Sequence, residues 1–157
     1  SLWQDNFIRE INERSSLHLY RLVKLDTSPS QYLISDSCNF RGLQLKFKLR
    51  TGVLGIGADL HGQRRGMGTC KWCHEFESAK HFVFKCPVYN DVRQIMLRNI
   101  QSDVMTDDFN LLLQDLDFAL CAMLGNHDDA INKHFCTFIE KAWTLRQEMS
   151  VNNEDGL

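Results

Sequence analysis

The stretch CKWCHEFESAKHFVFKCPVYNDVR, Cys70 to Arg93, decides how this chain of 157 residues is read. Cys70, Cys73, His81 and Cys86 fall in it as C-x2-C-x7-H-x4-C. Three thiols and one imidazole complete a tetrahedral shell around Zn²⁺ with no position left for water, which marks a structural rather than a catalytic site. The two residues between Cys70 and Cys73 let one tight turn present both sulfurs to the same ion. His81 is expected on a short helix or turn that Cys86 caps and Pro87 ends. His74 competes for the imidazole position. It follows Cys73 directly, where its ring points away from an ion its neighbour already holds, so His81 is preferred. The plainer alternative is a set of buried cysteines beside a surface histidine, and the coincidence of four ligand types at closed spacing argues against it.

Outward from the knuckle, the charge is uneven. Eleven basic residues (Arg41, Lys46, Lys48, Arg50, Arg64, Arg65, Lys71, Lys80, Lys85, Arg93, Arg98) face four acidic ones between positions 41 and 98, a balance of +7 in a chain of net −2. Zinc with three thiolates alters that by one unit. Clustered Lys and Arg usually engage backbone phosphates, so the asymmetry points to RNA or DNA as partner. The expected contacts are Arg64, Arg65, Lys71, Lys80 and Lys85 around the knuckle, with Lys46, Lys48 and Arg50 upstream. Trp72 or Phe76 would stack on an unpaired base. Trp72 equally suits an inward position against the core.

The remaining pattern is mostly helical, a small domain organised around the CCHC zinc knuckle with at most one short strand or hairpin. Trp3, Phe7, Ile8 and Ile11 recur at helical spacing, and Leu19, Tyr20, Leu22 and Val23 follow a cap at Ser15 or Ser16. Pro29 breaks the pattern, and 31–35 reads as extended. Positions 42–50 stay ambiguous. Leu43, Leu45, Phe47 and Leu49 alternate with Gln44, Lys46, Lys48 and Arg50 as in a strand with one basic face, while Phe40, Leu43 and Phe47 also fit a helix. Past Pro87, helices are expected through Ile100 (Val92, Met96, Ile100), from Asp107–Asp108 (Phe109, Leu112, Leu113, Leu116) and over 118–124. The clearest starts at Asp128 or Asp129 with the stripe Ile131, Phe135, Phe138, Ile139, Ala142, Leu145, Met149. Segments 1–66 (helical and basic), 67–100 (knuckle and following helix) and 101–150 (helical) read as one compact domain with a polar tail at 151–157.

Several classes are disfavoured. TGVLGIGADLHG lacks the third glycine of a dinucleotide fingerprint and the lysine of a phosphate loop, so its glycines are assigned to a turn or close packing. A zinc deaminase needs His-x-Glu ahead of Pro-Cys-x2-Cys, and His127-Asp128-Asp129 lacks a second metal-binding set. The expectation is a non-enzyme without a small-molecule substrate. No run reaches a membrane span and no leader is read at the N-terminus; with the C-x2-C spacing this places the chain inside the cell, nuclear or cytoplasmic. Cys38, Cys121 and Cys136 read as small buried hydrophobes.

From Trp3 to Arg98 the chain resembles the region C-terminal to the polymerase domain in animal non-LTR retrotransposon reverse transcriptases. LHLYRLVK, QYL, KLR, Arg64-Arg65 and the knuckle carry the similarity. That family's pattern is filled by Cys70, Cys73, Glu75 and Glu77, His81-Phe82, Cys86-Pro87, Tyr89 and Arg93. The resemblance implies a zinc knuckle that grips template RNA or target DNA, with the polymerase domain as a further partner; the chain is expected to be either a slice of a larger protein or a host-adopted descendant. The polymerase signature, an aromatic residue before Ala-Asp-Asp, is absent; Asp107-Asp108 follows Met105-Thr106. The competing function is a zinc-stabilised protein–protein interaction module that does not bind nucleic acid.

Overall fold

The computed structural model describes residues 2–13, 17–24, 30, 38–60, 68–125 and 128–154. The organising element is the last helix, α8 (Asp129–Glu154). Its start is fixed by the Asp128 carboxylate, which accepts the Ile131 N–H at 3.0 Å, satisfying a donor the first turn leaves open. Ile131, Phe135, Phe138, Ile139 and Ala142 are buried along one face as the stripe predicts. The helix runs four residues into the segment read as a polar tail.

Two helices cover that face. α3 (Phe40–Arg50) and α5 (Asn90–Asp103) make the most extensive contacts with α8. α1 (Leu2–Glu13) and α2 (His18–Val23) precede α3, and the short α4 (Gly57–Leu60) follows it. α6 (Thr106–Gln114) and α7 (Leu116–Leu124) connect α5 to α8, each close to its expected place. The Asp115 carboxylate caps α7 through the N–H groups of Asp117 and Phe118, and the Gly125 N–H closes it on the Cys121 carbonyl. Among the described residues the one extended pairing is an isolated bridge between Thr69 and Phe76. The expected Ser15/Ser16 cap and the extended piece at 31–35 lie outside the described residues.

Segment 42–50 is a helix, which resolves the ambiguity and overturns part of the charge reading. Asn39 caps it, its side-chain oxygen accepting the Gly42 N–H at 2.7 Å. Gly42, Leu43, Leu45, Lys46, Leu49 and Arg50 all face inward. Lys46 and Arg50 are completely buried. The Lys46 ammonium donates to the Gly125 carbonyl at 2.8 Å and to Asn132 Oδ1 at 2.7 Å, tying α3 to the α7–α8 corner. Burial lowers its pKa to about 8, a desolvation effect that neighbouring Cys136 opposes. The Arg50 guanidinium lies 5.1 Å from the Tyr20 ring centre. Neither side chain offers its charge to a phosphate, contrary to the expectation for both; Lys48 is exposed. The three glycines act as punctuation. Gly52 and Gly55 adopt positive φ, and a Cβ at Gly57 would stand 2.7 Å from the Gly68 carbonyl oxygen.

Candidate metal centre

Cys70 and Cys73 occupy the tip of an irregular hairpin. The Cys70 N–H donates to the Glu75 carbonyl at 2.7 Å, the His74 N–H to the Cys70 carbonyl at 3.0 Å, and the Glu77 N–H to the Gly68 carbonyl at 2.8 Å. His74 pays for this tight closure with φ of +61°, a left-handed conformation that costs a residue with a Cβ.

His81 and Cys86 come from a different device. Residues His81–Lys85 form a π-helical turn in which the Cys86 N–H bonds the His81 carbonyl at 2.8 Å. In an α-helix, side chains five residues apart point roughly 140° away from each other. The wider i to i+5 turn closes that angle and brings both ligands to one side. Pro87 then opens a 3₁₀ turn, Pro87–Tyr89, that leads into α5.

All four ligand atoms lie within 4.8 Å of one another, and this is the metal-ligand group of three or more found among the described residues. The Cys70 and Cys86 sulfurs are 3.8 Å apart, and Cys73 Sγ is 3.2 Å from His81 Nε2. His81 Nδ1 faces the Glu75 carboxylate at 3.4 Å, the arrangement that orients a metal-binding imidazole. His81 thus takes the ligand position, and His74 is exposed beside it. Burial raises the Cys73 thiol and pushes the Cys86 thiol up to about 12. A cation among them reverses that preference, since only thiolates ligate.

The support beneath the ligands was largely missed in the sequence. Arg93 is buried, with Nε donating to the Val83 carbonyl at 2.7 Å and Nη2 to the Cys86 carbonyl at 2.6 Å. It therefore locks the end of the π turn instead of facing solvent. Glu77 is buried at 1 % exposure and accepts the Gly57 N–H at 2.7 Å and a bidentate pair of bonds from Arg146. Arg146 also donates to the Tyr89 hydroxyl at 3.2 Å. Its guanidinium is 5.0 Å from the Trp72 ring centre and 5.5 Å from that of Trp143. Phe82, fully buried, meets Tyr89 edge-on at 4.9 Å and Phe138 at 6.3 Å. The signal for Arg146 was its register: it lies seven residues after Ile139 and four after Ala142, a charge on the core side of the stripe.

The candidate nucleic-acid residues divide. Lys71 and Lys85 are exposed, as is Lys48. Lys80 is paired with Asp117 at 2.8 Å. Trp72 is half-buried and takes the inward of its two expected positions, edge-on to Tyr89 at 6.3 Å. Phe76 is 54 % exposed. Arg64 and Arg65 lie outside the described residues. Among the described residues no helix is long and apolar enough to cross a membrane. No protein-family model, curated protein or solved structure matches the chain.

Proposed function

We propose that this chain is a structural-zinc module that grips nucleic acid, of the kind found C-terminal to the polymerase of non-LTR retrotransposon reverse transcriptases. The observation that carries the reading is the closed Cys3His set held within 4.8 Å. Sulfurs bound at ~2.3 Å to one tetrahedral zinc stand roughly 3.8 Å apart, which is the Cys70–Cys86 separation. Three soft thiolates and an imidazole favour zinc over harder cations. With four protein ligands no coordination position remains for water, so the metal's part is to hold Cys70, Cys73, His81 and Cys86 together, and the surrounding residues present the contacts. Lys71 and Lys85 supply exposed positive charge at the knuckle, Lys48 supplies it on α3, and Phe76 takes the stacking role. The proposal also assigns phosphate contacts to Arg64 and Arg65 from their place in the sequence ahead of the knuckle, with RNA or DNA as partner.

The test is fluorescence anisotropy of zinc-loaded protein with labelled single-stranded RNA, single-stranded DNA and duplex DNA at low and moderate salt. Binding that weakens with salt is expected, and replacing Lys71 and Lys85 together should flatten the salt dependence by about two phosphate contacts. Absence of binding at low salt overturns the reading. A second function, docking to another protein or to a polymerase domain, draws on two observations. Lys46, Arg50 and Arg93 are buried and so withdraw from the basic surface, and Met105, Leu111 and Phe118 on α6, α7 and the turn before them are exposed. A docking module ignores nucleic acid at moderate salt.

A further inference from the structure

The cysteines outside the knuckle are not equivalent. Cys121 stands apart on α7, where burial and then Asp117 and Asp115 push its thiol up. Cys38 and Cys136, by contrast, sit together. With Leu43 they form a small cluster separate from the main core, in which Cys38 packs against the buried Cys136. Beside this contact two helices approach tightly: a Cβ at Gly42 would be 2.8 Å from the Cys136 carbonyl oxygen and 2.9 Å from the Cys136 Cβ. The start of α3 is further tied to α8 by Asn39, whose Nδ2 donates to Glu140 at 2.5 Å. The backbones that carry the two thiols are therefore held near each other by bonds that do not involve sulfur.

We propose that Cys38 and Cys136 are an oxidisable dithiol that closes to an intramolecular disulfide across the α3–α8 contact. The chemistry assigns the two thiols different tasks. Cys38 is half-buried and Cys136 is buried, so Cys38 meets the oxidant and Cys136 resolves. With a low-molecular-weight disulfide such as oxidised glutathione, the Cys38 thiolate attacks one sulfur and expels a glutathione thiolate. The Cys136 thiolate then attacks the Cys38 sulfur and expels the second. Two protein thiols are oxidised, one disulfide is reduced to two glutathiones, and the two protons pass to the departing thiolates. Asn132 Oδ1 accepts from the Cys136 thiol at 3.7 Å and from the Lys46 ammonium at 2.7 Å. Lys46 thereby places a positive charge beside the sulfur that must ionise. Burial, and after it Cys38 and Glu140, oppose it and push the Cys136 thiol up, so closure is expected to quicken as pH rises towards about 8, above which Lys46 loses its charge.

The experiment treats the full chain, loaded with zinc to protect the knuckle thiols, with oxidised glutathione. Free thiols are then alkylated in denaturant, which exposes the buried Cys136, and the digest is mapped by mass spectrometry. Loss of alkylation at both Cys38 and Cys136, with recovery of one peptide joining them and an alkylated Cys121, is the expected result. In Cys136→Ser, Cys38 should accumulate joined to glutathione. In Cys38→Ser, which alters a half-buried bend and leaves the α8 face untouched, Cys136 should stay alkylatable. Three results overturn the proposal: both thiols alkylated as in the reduced control, Cys38 found only joined to glutathione in the unsubstituted chain, or either cysteine linked to Cys121, to a knuckle ligand or to a second chain. None of these outcomes depends on whether the module binds nucleic acid.

Discussion

Replacing Arg146 with Met tests whether the knuckle and α8 stand on one buried ion pair. The Glu77 carboxylate is 1 % exposed, and without Arg146 it retains the Gly57 N–H at 2.7 Å as its recorded hydrogen bond among the described residues. Met refills much of the space between Trp72 and Trp143, so the loss is chiefly electrostatic. Removing one partner of a buried pair costs about 3–5 kcal/mol, because the remaining charge is stranded. Against a typical total of about 5–15 kcal/mol that is a large share. With a urea slope of about 2 kcal/mol per molar, the midpoint should fall by roughly 2 M. Urea titration of zinc-loaded protein, followed by tryptophan fluorescence, reads this directly, since Trp72 and Trp143 flank the guanidinium. The double variant Arg146→Met, Glu77→Gln has no stranded charge and should recover much of the loss. A single-variant cost below about 1 kcal/mol, or a cycle additive within about 0.5 kcal/mol, refutes the reasoning.

Three further expectations follow from the site and its surroundings. His74→Gly relieves a left-handed Cβ and should stabilise the folded chain by about 0.5–1 kcal/mol with metal stoichiometry unchanged; a lost equivalent of zinc in a chelator competition would mean His74 is a ligand after all. Zinc affinity should rise steeply with pH, because thiols that burial holds protonated must release protons to bind, and a flat affinity between about pH 6 and pH 8 contradicts this. Burial lowers the folded Lys46 pKa to about 8 from its ordinary 10.5, so the folded state binds fewer protons than the unfolded one within that window. Its charged form costs roughly 3 kcal/mol below pH 8, a penalty that fades as pH rises towards 10.5. Unfolding free energies of Lys46→Met and the unsubstituted chain, compared across that window, should therefore diverge in favour of the latter as pH rises; parallel curves would place the ammonium in a solvated setting.

The parts of the site that could be read from sequence were those encoded over short distances. C-x2-C and H-x4-C each draw their ligands from one turn, so spacing alone pointed to the centre, and the cap at Asp128 is equally local. What escaped was pairing over long separations. Lys46 finds its acceptors at Gly125 and Asn132, and Glu77 finds Arg146, partners 69 to 86 residues away. A lysine or arginine in an alternating run reads as a solvated face, and only the tertiary neighbours show that α3 turns Lys46 and Arg50 inward. The same holds for Trp72, whose two open positions differ in whether Arg146 lies behind it. Helical register held the remaining clue, since Leu43, Lys46 and Arg50 share one face of a helix at i, i+3 and i+7.

The Glu77–Arg146 pair also sets the limits of what can be cut out and moved. Many zinc knuckles are treated as portable inserts of a few dozen residues. Here a peptide confined to 67–100 would hold every ligand, yet would carry the Glu77 carboxylate and the Tyr89 hydroxyl without the guanidinium that joins them, and Phe82 without Phe138. The smallest unit able to present these four ligands in this geometry thus reaches to Arg146. Grafting the finger elsewhere means grafting a helix along with it.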